Sequence, residues 1–161
     1  LLEQGRTLPG FIGDISYAQS NRERYEGFCQ ALADAGKKVD SSLCLTTPLG
    51  IDTYREEIDT FLSSLSRMPD AFVCASDYVA CILMQLLEKR GLRVPEDVAV
   101  SGFDNNTEDL LAEHLTTVQV FNEELGARLA LQILYRIKYP NTPHEITYLG
   151  TNVLYRDSTG D

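Results

Sequence analysis

The sequence lacks the short motifs that mark several common classes of enzyme. It contains no G-x-S-x-G nucleophile turn, no G-x-x-x-x-G-K-[ST] phosphate loop and no G-x-G-x-x-G dinucleotide fingerprint. Its two histidines, His114 and His144, stand in no recognisable nucleophile setting and are interpreted as surface residues. We therefore expect no catalytic residue, no metal and no cofactor, and we predict that the chain is not an enzyme.

Cysteine is also scarce. The four cysteines form no C-x-x-C pair, and only the two histidines could join them in a metal site. The expected role of Cys29, Cys44, Cys74 and Cys81 is that of small buried hydrophobic side chains, with neither disulfides nor a metal among them. This cysteine usage favours a reducing, cytoplasmic location.

Positive charge and long apolar runs are missing as well. The chain has 14 Lys and Arg against 24 Asp and Glu, which gives a formal net charge of −10. Because nucleic-acid binding depends on basic side chains that neutralise phosphates, these residues themselves are not expected to hold DNA. No segment has the roughly 20 consecutive apolar residues needed to span a bilayer, so no membrane partner is expected.

The chain of 161 residues alternates short apolar strands with amphipathic helices. Each strand is apolar throughout, as in a parallel sheet that helices cover on both faces. The pattern predicts an α/β fold with a flavodoxin-like doubly wound parallel sheet. Residues 1–5 are typical of a last helical turn that stops at Gly5, so we expect the chain to be truncated from a longer one. Strands are predicted at 9–14, 71–75, 98–100 and 115–120, with a linker and second strand at 39–45 and an extended, β-rich end at 146–155. Helices are predicted at 22–35, 52–65, 77–90 and 122–139, and a short helical turn at 108–113.

Polar side chains follow several predicted strands at their carboxyl ends, where α/β sheets bind ligands. Asp14, Ser76 with Asp77, and Asp104 occupy such positions. Arg24 adds a cation in the first full helix. An arginine fork and carboxylates that converge on one crevice suit a neutral polyhydroxyl ligand, because each can hydrogen-bond several hydroxyl groups. We expect Asp14 to point into the same crevice.

Three of these residues also have a purely structural interpretation. Arg24 could pair with a neighbouring glutamate, and Asp104 could be only a turn residue after the buried strand 98–100. Asp77 could be only the N-cap of the third helix, and for this residue the cap is the favoured interpretation.

Seven short segments occur in a fixed order that covers nearly the whole chain. They are G-F-I-G at 10–13, R-E-R-Y-E-G-F at 22–28, A-F-V-C-A-S-D-Y-V-A at 71–80, G-L-R-V-P-E-D-V at 91–98, G-F-D-N at 102–105, L-T-T-V at 115–118 and E-L-G at 124–126. In this combination the chain resembles the effector-binding core of bacterial transcriptional repressors of the lactose/galactose repressor (LacI/GalR) family.

The resemblance implies a two-lobed, periplasmic-binding-protein-like fold that holds an effector between its lobes. Residues 1–120 would form the C-terminal lobe of the effector-binding domain. Residues 121–161 would be a returning helix and strand that pack on an N-terminal lobe missing from this chain. The implied partners are a small, sugar-like polar effector, a second copy in a homodimer, and operator DNA, which a headpiece absent from this chain would bind. A periplasmic sugar-binding protein of a transport system is the alternative.

The resemblance also implies roles for particular residues. Arg24 and Asp104 would hold the effector, Ser20 would contribute, and Ser76 and Asp77 complete the expected ligand-binding set. Ser76 stands where the family often has Asn, and residues 47–49 lack the expected aromatic side chain that stacks on a sugar. The effector is therefore predicted to be small and polar, while its identity as a simple hexose or pentose stays open.

Two predicted helices carry more apolar side chains than a single buried stripe needs. On the third helix, Tyr78, Cys81, Met84 and Gln85 widen the apolar surface. The resemblance implies that this helix pairs in a symmetric dimer, and the alternative is burial within the lobe. The stripe on the last helix would be partly bare without a partner, and it consists of Leu125, Leu129, Ala130, Ile133, Leu134 and Ile137.

Overall fold

The computed structural model describes residues 1–50, 52–106 and 110–160, in which strands and helices alternate along most of the chain. Three short 3-10 helices cover Ser41–Leu43, Leu110–His114 and Asp157–Thr159. The strands and α-helices in chain order are β1 (Pro9–Ile12), α1 (Gln19–Asp34), β2 (Cys44–Leu45), α2 (Tyr54–Ser64), β3 (Ala71–Cys74), α3 (Asp77–Lys89), β4 (Ala99–Ser101), β5 (Thr117–Gln119), α4 (Asn122–Lys138) and β6 (Asn152–Leu154).

Four of the strands form a parallel sheet in the order β2-β1-β3-β4. Parallel bridges from Ser101 to Thr116 and from Asp104 to Gln119 place β5 beside β4 and continue this order. Strand β6 then pairs antiparallel with β5. The order 2-1-3-4 followed by β5 is that of a flavodoxin-like doubly wound sheet, so the predicted fold class is confirmed.

Helices cover the sheet from both sides because successive strand residues face opposite ways. Phe11 packs with Phe28 and Leu32 of α1 on one face. Its neighbour Ile12 belongs to a larger core on the other face, where α2 and α3 pack. This second core includes Ile58 and Leu83, which are both fully buried.

The cysteines divide between the core and its border. Cys74 and Cys81 are buried, as predicted, whereas Cys29 and Cys44 are only half-buried. All four are in the thiol state, with no disulfide between them. Burial raises the pKa of the Cys44 thiol to about 11, which keeps it protonated and uncharged at neutral pH.

Several element boundaries differ from the prediction for local reasons. The second strand shrinks to two residues because 41–43 form a 3-10 helix, where the Asp40 carboxylate accepts the N–H of Ser42. The predicted extended end at 146–155 is a strand only where Asn152–Leu154 pairs with β5. A helical turn expected from residue 108 starts outside the described residues, and Leu110–His114 is its described part.

Helix α4 contributes no buried residue to the structure, in agreement with the expectation of a bare stripe. Leu134 and Ile137, for example, are 63% and 74% exposed. The chain nevertheless returns to the sheet after β6, where Ser158 and Thr159 are buried. Within the described ranges, no helix combines the length and apolar character needed to cross a membrane.

The burial pattern predicts that the core and α4 differ in their sensitivity to truncation. Leu83→Ala should lower the free energy of unfolding by about 2–5 kcal/mol, because it opens a cavity between α3 and the sheet. Leu131→Ala on α4, where the side chain is 63% exposed, should change it by less than about 0.5 kcal/mol. Urea denaturation of the two variants checks this, and equal losses would contradict the assigned core.

Candidate ligand-binding site

Arg24 and Asp104, which lie 80 positions apart in the sequence, meet at the carboxyl edge of the sheet. Arg24 is in the second turn of α1, the helix that follows β1, and Asp104 comes shortly after β4. Nη2 of the arginine is 3.3 Å from Oδ1 of the aspartate. The alternative in which Arg24 pairs with a neighbouring glutamate is not what the structure shows.

The Arg24 guanidinium is held on several sides. It stacks on the ring of Phe103, with 3.6 Å between Cζ and the ring centroid, and Nη1 donates to the carbonyl oxygen of Ala75. Burial lowers the pKa of Arg24 and raises the pKa of Asp104, and in each case their ion pair only partly offsets burial. The arginine side chain is 20% exposed and the aspartate 43%, so both charges still reach solvent at the rim.

Asp104 occupies an unusual backbone conformation. Its φ is +114°, and that of Asn105 is +54°, both outside the regions that side-chain-bearing residues prefer. Such conformations cost about 1–3 kcal/mol each and persist where the surroundings hold them. The N–H of Asp104 donates to the carbonyl oxygen of Val118 at 3.0 Å, which ties the turn to β5. Strained backbone of this kind clusters at binding sites.

Asp77 stabilises this turn through three hydrogen bonds. Its Oδ2 accepts the N–H of Asn106 at 2.8 Å, and its Oδ1 accepts the hydroxyl of Thr117 at 2.6 Å. Its own N–H donates to the carbonyl oxygen of Phe103 at 2.8 Å. Because Asp77 is 2% exposed and both carboxylate oxygens are occupied, its structural role is to shape the loop that carries Asp104.

The predicted helix cap is wrong by one residue. The N-cap of α3 is Ser76, whose hydroxyl accepts the N–H of Val79 at 3.4 Å, and Asp77 is the first helical residue. The reason is that the Asp77 carboxylate turns toward the loop after β4 and away from the helix end. Ser76 is half-buried, and as the cap its hydroxyl is already engaged.

Ser20 lies in the first turn of α1 and is exposed. It precedes Arg24 by four positions, which places the two side chains on the same face of the helix. The role of Ser20 in ligand binding stays a prediction.

Asp14 is 5% exposed and joins two loops at the sheet edge. Its Oδ1 accepts the N–H of Ser16 at 2.8 Å and that of Tyr17 at 3.1 Å, and its Oδ2 accepts the N–H of Leu49 at 3.2 Å. Burial alone would raise the pKa of Asp14, but these hydrogen bonds outweigh it and the pKa lies below its ordinary value. The expectation that Asp14 points into the crevice is wrong, because both its oxygens serve the loops.

Gln119 is a rim residue that the sequence analysis did not single out. It ends β5, and its backbone forms the parallel bridge with Asp104, so the two residues lie side by side at the sheet edge. Its position directly after the segment L-T-T-V was the available signal, since the carboxyl end of a neighbouring strand reaches the same edge.

A cavity of about 700 Å³ borders Arg24 but does not include Asp104 among the described residues that line it. Strand side chains such as Val73 and Val118 line it together with Leu1 and Tyr155. Because strand side chains project from the faces of a sheet, this cavity lies over a face and is mainly apolar. The polar candidate site is the rim, where a fork of donors faces a carboxylate. Among the described residues, no group of His, Cys, Asp and Glu is placed to hold a metal ion.

Comparison with known proteins decides the family. The family described as "Periplasmic binding protein-like domain" matches residues 1–159. The chain belongs to this family. The periplasmic binding protein-like domain accounts for the doubly wound sheet and for a binding edge at the carboxyl ends of its strands.

Its relatives are transcriptional regulators, which confirms the resemblance to LacI-type proteins. The HTH-type transcriptional regulator DegA of Bacillus subtilis is 35% identical over 129 residues, which make up 79% of this chain and 37% of DegA. The structure of a transcriptional regulator CelR–cellobiose complex aligns with a TM-score of 0.86 at 29% identity, over 98% of this chain and 48% of that one. A LacI family regulator from Enterococcus faecium with bound ribose aligns with a TM-score of 0.82 at 25% identity, over 99% of this chain and 59% of that one. The chain thus spans between 37% and 59% of these proteins.

The lowered pKa of Asp14 predicts a pH-dependent contribution to stability. A carboxylate with a depressed folded pKa stabilises the protein fully above its ordinary pKa of 3.8 and loses that effect as pH falls through the folded value. Asp14→Asn should therefore be destabilising near neutral pH, and its difference from the wild type should shrink as the pH falls below 3.8. Urea denaturation across this range measures the difference, and a value independent of pH would contradict the role of the charge.

Proposed function

We propose that this chain is the effector-sensing lobe of a cytoplasmic, DNA-binding transcriptional regulator of the LacI type. The observation that carries the proposal is the convergence of Arg24 and Asp104 at the carboxyl edge of a periplasmic binding protein-like sheet. The relatives, regulators by name, favour this function over the binding component of a transport system. In this proposal Arg24 and Asp104 sense the effector by hydrogen bonds alone, with no bond made or broken.

The proposed effector is a small, polar, sugar-like molecule. Related regulators have been solved with cellobiose and with ribose. At this rim Arg24 supplies several N–H donors in a fixed fork and Asp104 supplies acceptor oxygens, so a single hydroxyl group would accept from Arg24 and donate to Asp104. Ser20 and Gln119 extend the set of polar groups around that pair, and Asp77 acts through the loop that it shapes.

The proposed architecture assigns residues 1–120 to the C-terminal lobe and residues 121–161 to a helix and strand that return from a second lobe. The exposed apolar stripe of α4 supports this division, because so many exposed aliphatic side chains on one helix call for a packing partner. Operator DNA would be bound by a headpiece outside these 161 residues, consistent with the net charge of −10. Effector binding would shift the closure of the two lobes and thereby the spacing of the headpieces.

The proposed homodimer pairs through α3. One side of α3 is buried against the core of the lobe. Cys81 lies on that side, is 3% exposed and therefore cannot contact a partner. Tyr78 remains 59% exposed and packs edge-to-face on Tyr54, with ring centroids 5.8 Å apart. A large aromatic side chain on an exposed helix face is typical of an interface anchor.

The ligand role of Arg24 predicts a specific loss of affinity. In the full-length regulator, Arg24→Ala should weaken the binding of cellobiose or ribose by about 1.5–3 kcal/mol, or about 10- to 150-fold, because charged hydrogen bonds are removed. Arg22→Ala is the matched control, since Arg22 is an exposed residue of the same helix. Isothermal titration calorimetry measures both, and equal affinities of the Arg24 variant and the wild type would rule out the role.

The dimer predicts a dependence on Tyr78. Tyr78→Glu should raise the dimer dissociation constant at least about tenfold, because the symmetric interface would bury two like charges. Ala31→Glu serves as the control, since Ala31 is exposed on α1, which packs on the opposite face of the sheet from α3. Sedimentation equilibrium of the full-length protein checks this. A monomeric wild type, or a dimer insensitive to Tyr78→Glu, would contradict pairing through α3.

A further inference from the structure

Arg156, which follows β6, reaches the loop that carries Asp104. Its Nη2 donates to Oδ1 of Asn105 at 2.8 Å. Its Nη1 donates to the carbonyl oxygens of Ala112 and Leu115, at 3.0 and 2.9 Å. One guanidinium therefore connects the 3-10 helix Leu110–His114 with the residue directly after Asp104.

The backbone of Arg156 is itself anchored. Its N–H donates to the hydroxyl of Thr116 at 2.8 Å, and its carbonyl oxygen accepts from the same hydroxyl at 3.0 Å. Two positions later, the Ser158 hydroxyl donates to the carbonyl oxygen of Val100 at 2.6 Å, which fixes the segment against β4. The guanidinium thus acts from a rigid support.

Asn105 lies in a turn with two successive positive φ angles, +114° at Asp104 and +54° at Asn105. A hydrogen bond to its side chain stabilises this turn. The N–H of Asn105 makes a longer hydrogen bond, 3.3 Å, to the hydroxyl of Thr117. The bond from Arg156 is shorter and charge-assisted, and such bonds are roughly twice as strong as neutral ones.

We propose that Arg156 is a positioning residue for effector binding, which holds Asn105 so that the Asp104 carboxylate stays in front of Arg24. The inference rests on the proposed function, because it takes Asp104 as an effector-binding residue. It adds that the segment returning along β6 is linked through one guanidinium to the effector loop.

The test compares variants of the full-length protein by two measurements. Hydrogen exchange of residues 103–106, followed by mass spectrometry, reports on the loop without any ligand. Calorimetric titration with cellobiose and with ribose reports on effector binding. Arg156→Gln should speed exchange in 103–106 and weaken sugar binding by about tenfold, and Asn105→Ala should do the same while leaving the contacts of Arg156 with the 3-10 helix intact.

Two further variants separate positioning from general support. Asn105→Asp should keep both exchange rate and affinity near wild type, because a carboxylate accepts from Arg156 and aspartate also tolerates a positive φ. Arg90→Gln should lower the melting temperature but leave sugar affinity within about twofold, since Arg90 donates to the carbonyl oxygens of Leu86 and Asp59, between α3 and α2, and not to the loop of Asp104.

Unchanged exchange in Arg156→Gln, or faster exchange with unchanged affinity, would overturn the inference. It would also be overturned if Arg90→Gln weakened binding as much as Arg156→Gln, which would indicate a general loss of stability only. A wild type that binds neither sugar would contradict the sugar effector of the proposed function. In that case, the hydrogen-exchange rates of residues 103–106 in Arg156→Gln and in the wild type would still test whether Arg156 holds the loop.

Discussion

The ion pair between Arg24 and Asp104 is the interaction on which the candidate site depends. Its partners come from α1 and from the turn after β4, and only a parallel sheet with β1 near β4 brings the two chain segments to one edge. Each charge is partly desolvated, which the shifts of both pKa values reflect. Because both side chains are partly buried but still reach solvent, a polar ligand can form hydrogen bonds with them in place of part of their ion pair.

Asp77 and Phe103, which pack against the residues of the ion pair, explain why the pair keeps its position. Asp77 is buried under the loop and accepts hydrogen bonds from the backbone N–H of Asn106 and from the hydroxyl of Thr117. It also leaves no room for a side chain at Gly102, where a Cβ would lie 2.2 Å from Oδ1 of Asp77. Phe103 supports the guanidinium from one side. The site is therefore a polar rim on a rigid and largely apolar base, the usual construction of small-molecule sites.

The alternation of apolar strands and amphipathic helices predicted the fold class. The position of Asp104 after a strand suggested a binding edge, and the family resemblance was needed to favour its pairing with Arg24. The sequence pattern could not predict that the Asp77 side chain turns away from its helix. An aspartate at this position is equally compatible with a helix N-cap and with a residue that supports the neighbouring loop. The hold of Arg156 on Asn105 joins positions 51 apart, and no local periodicity reports such a contact. Asp14 was placed at the correct edge, but the direction of its side chain depends on the loop at Leu49.

The most direct test of the account is a crystal structure of the full-length protein with cellobiose or ribose bound. The account predicts a sugar hydroxyl group within hydrogen-bond distance, about 2.6–3.2 Å, of both the Arg24 guanidinium and the Asp104 carboxylate. A sugar bound elsewhere, for example in the apolar cavity over the sheet face, with that ion pair untouched, would contradict it.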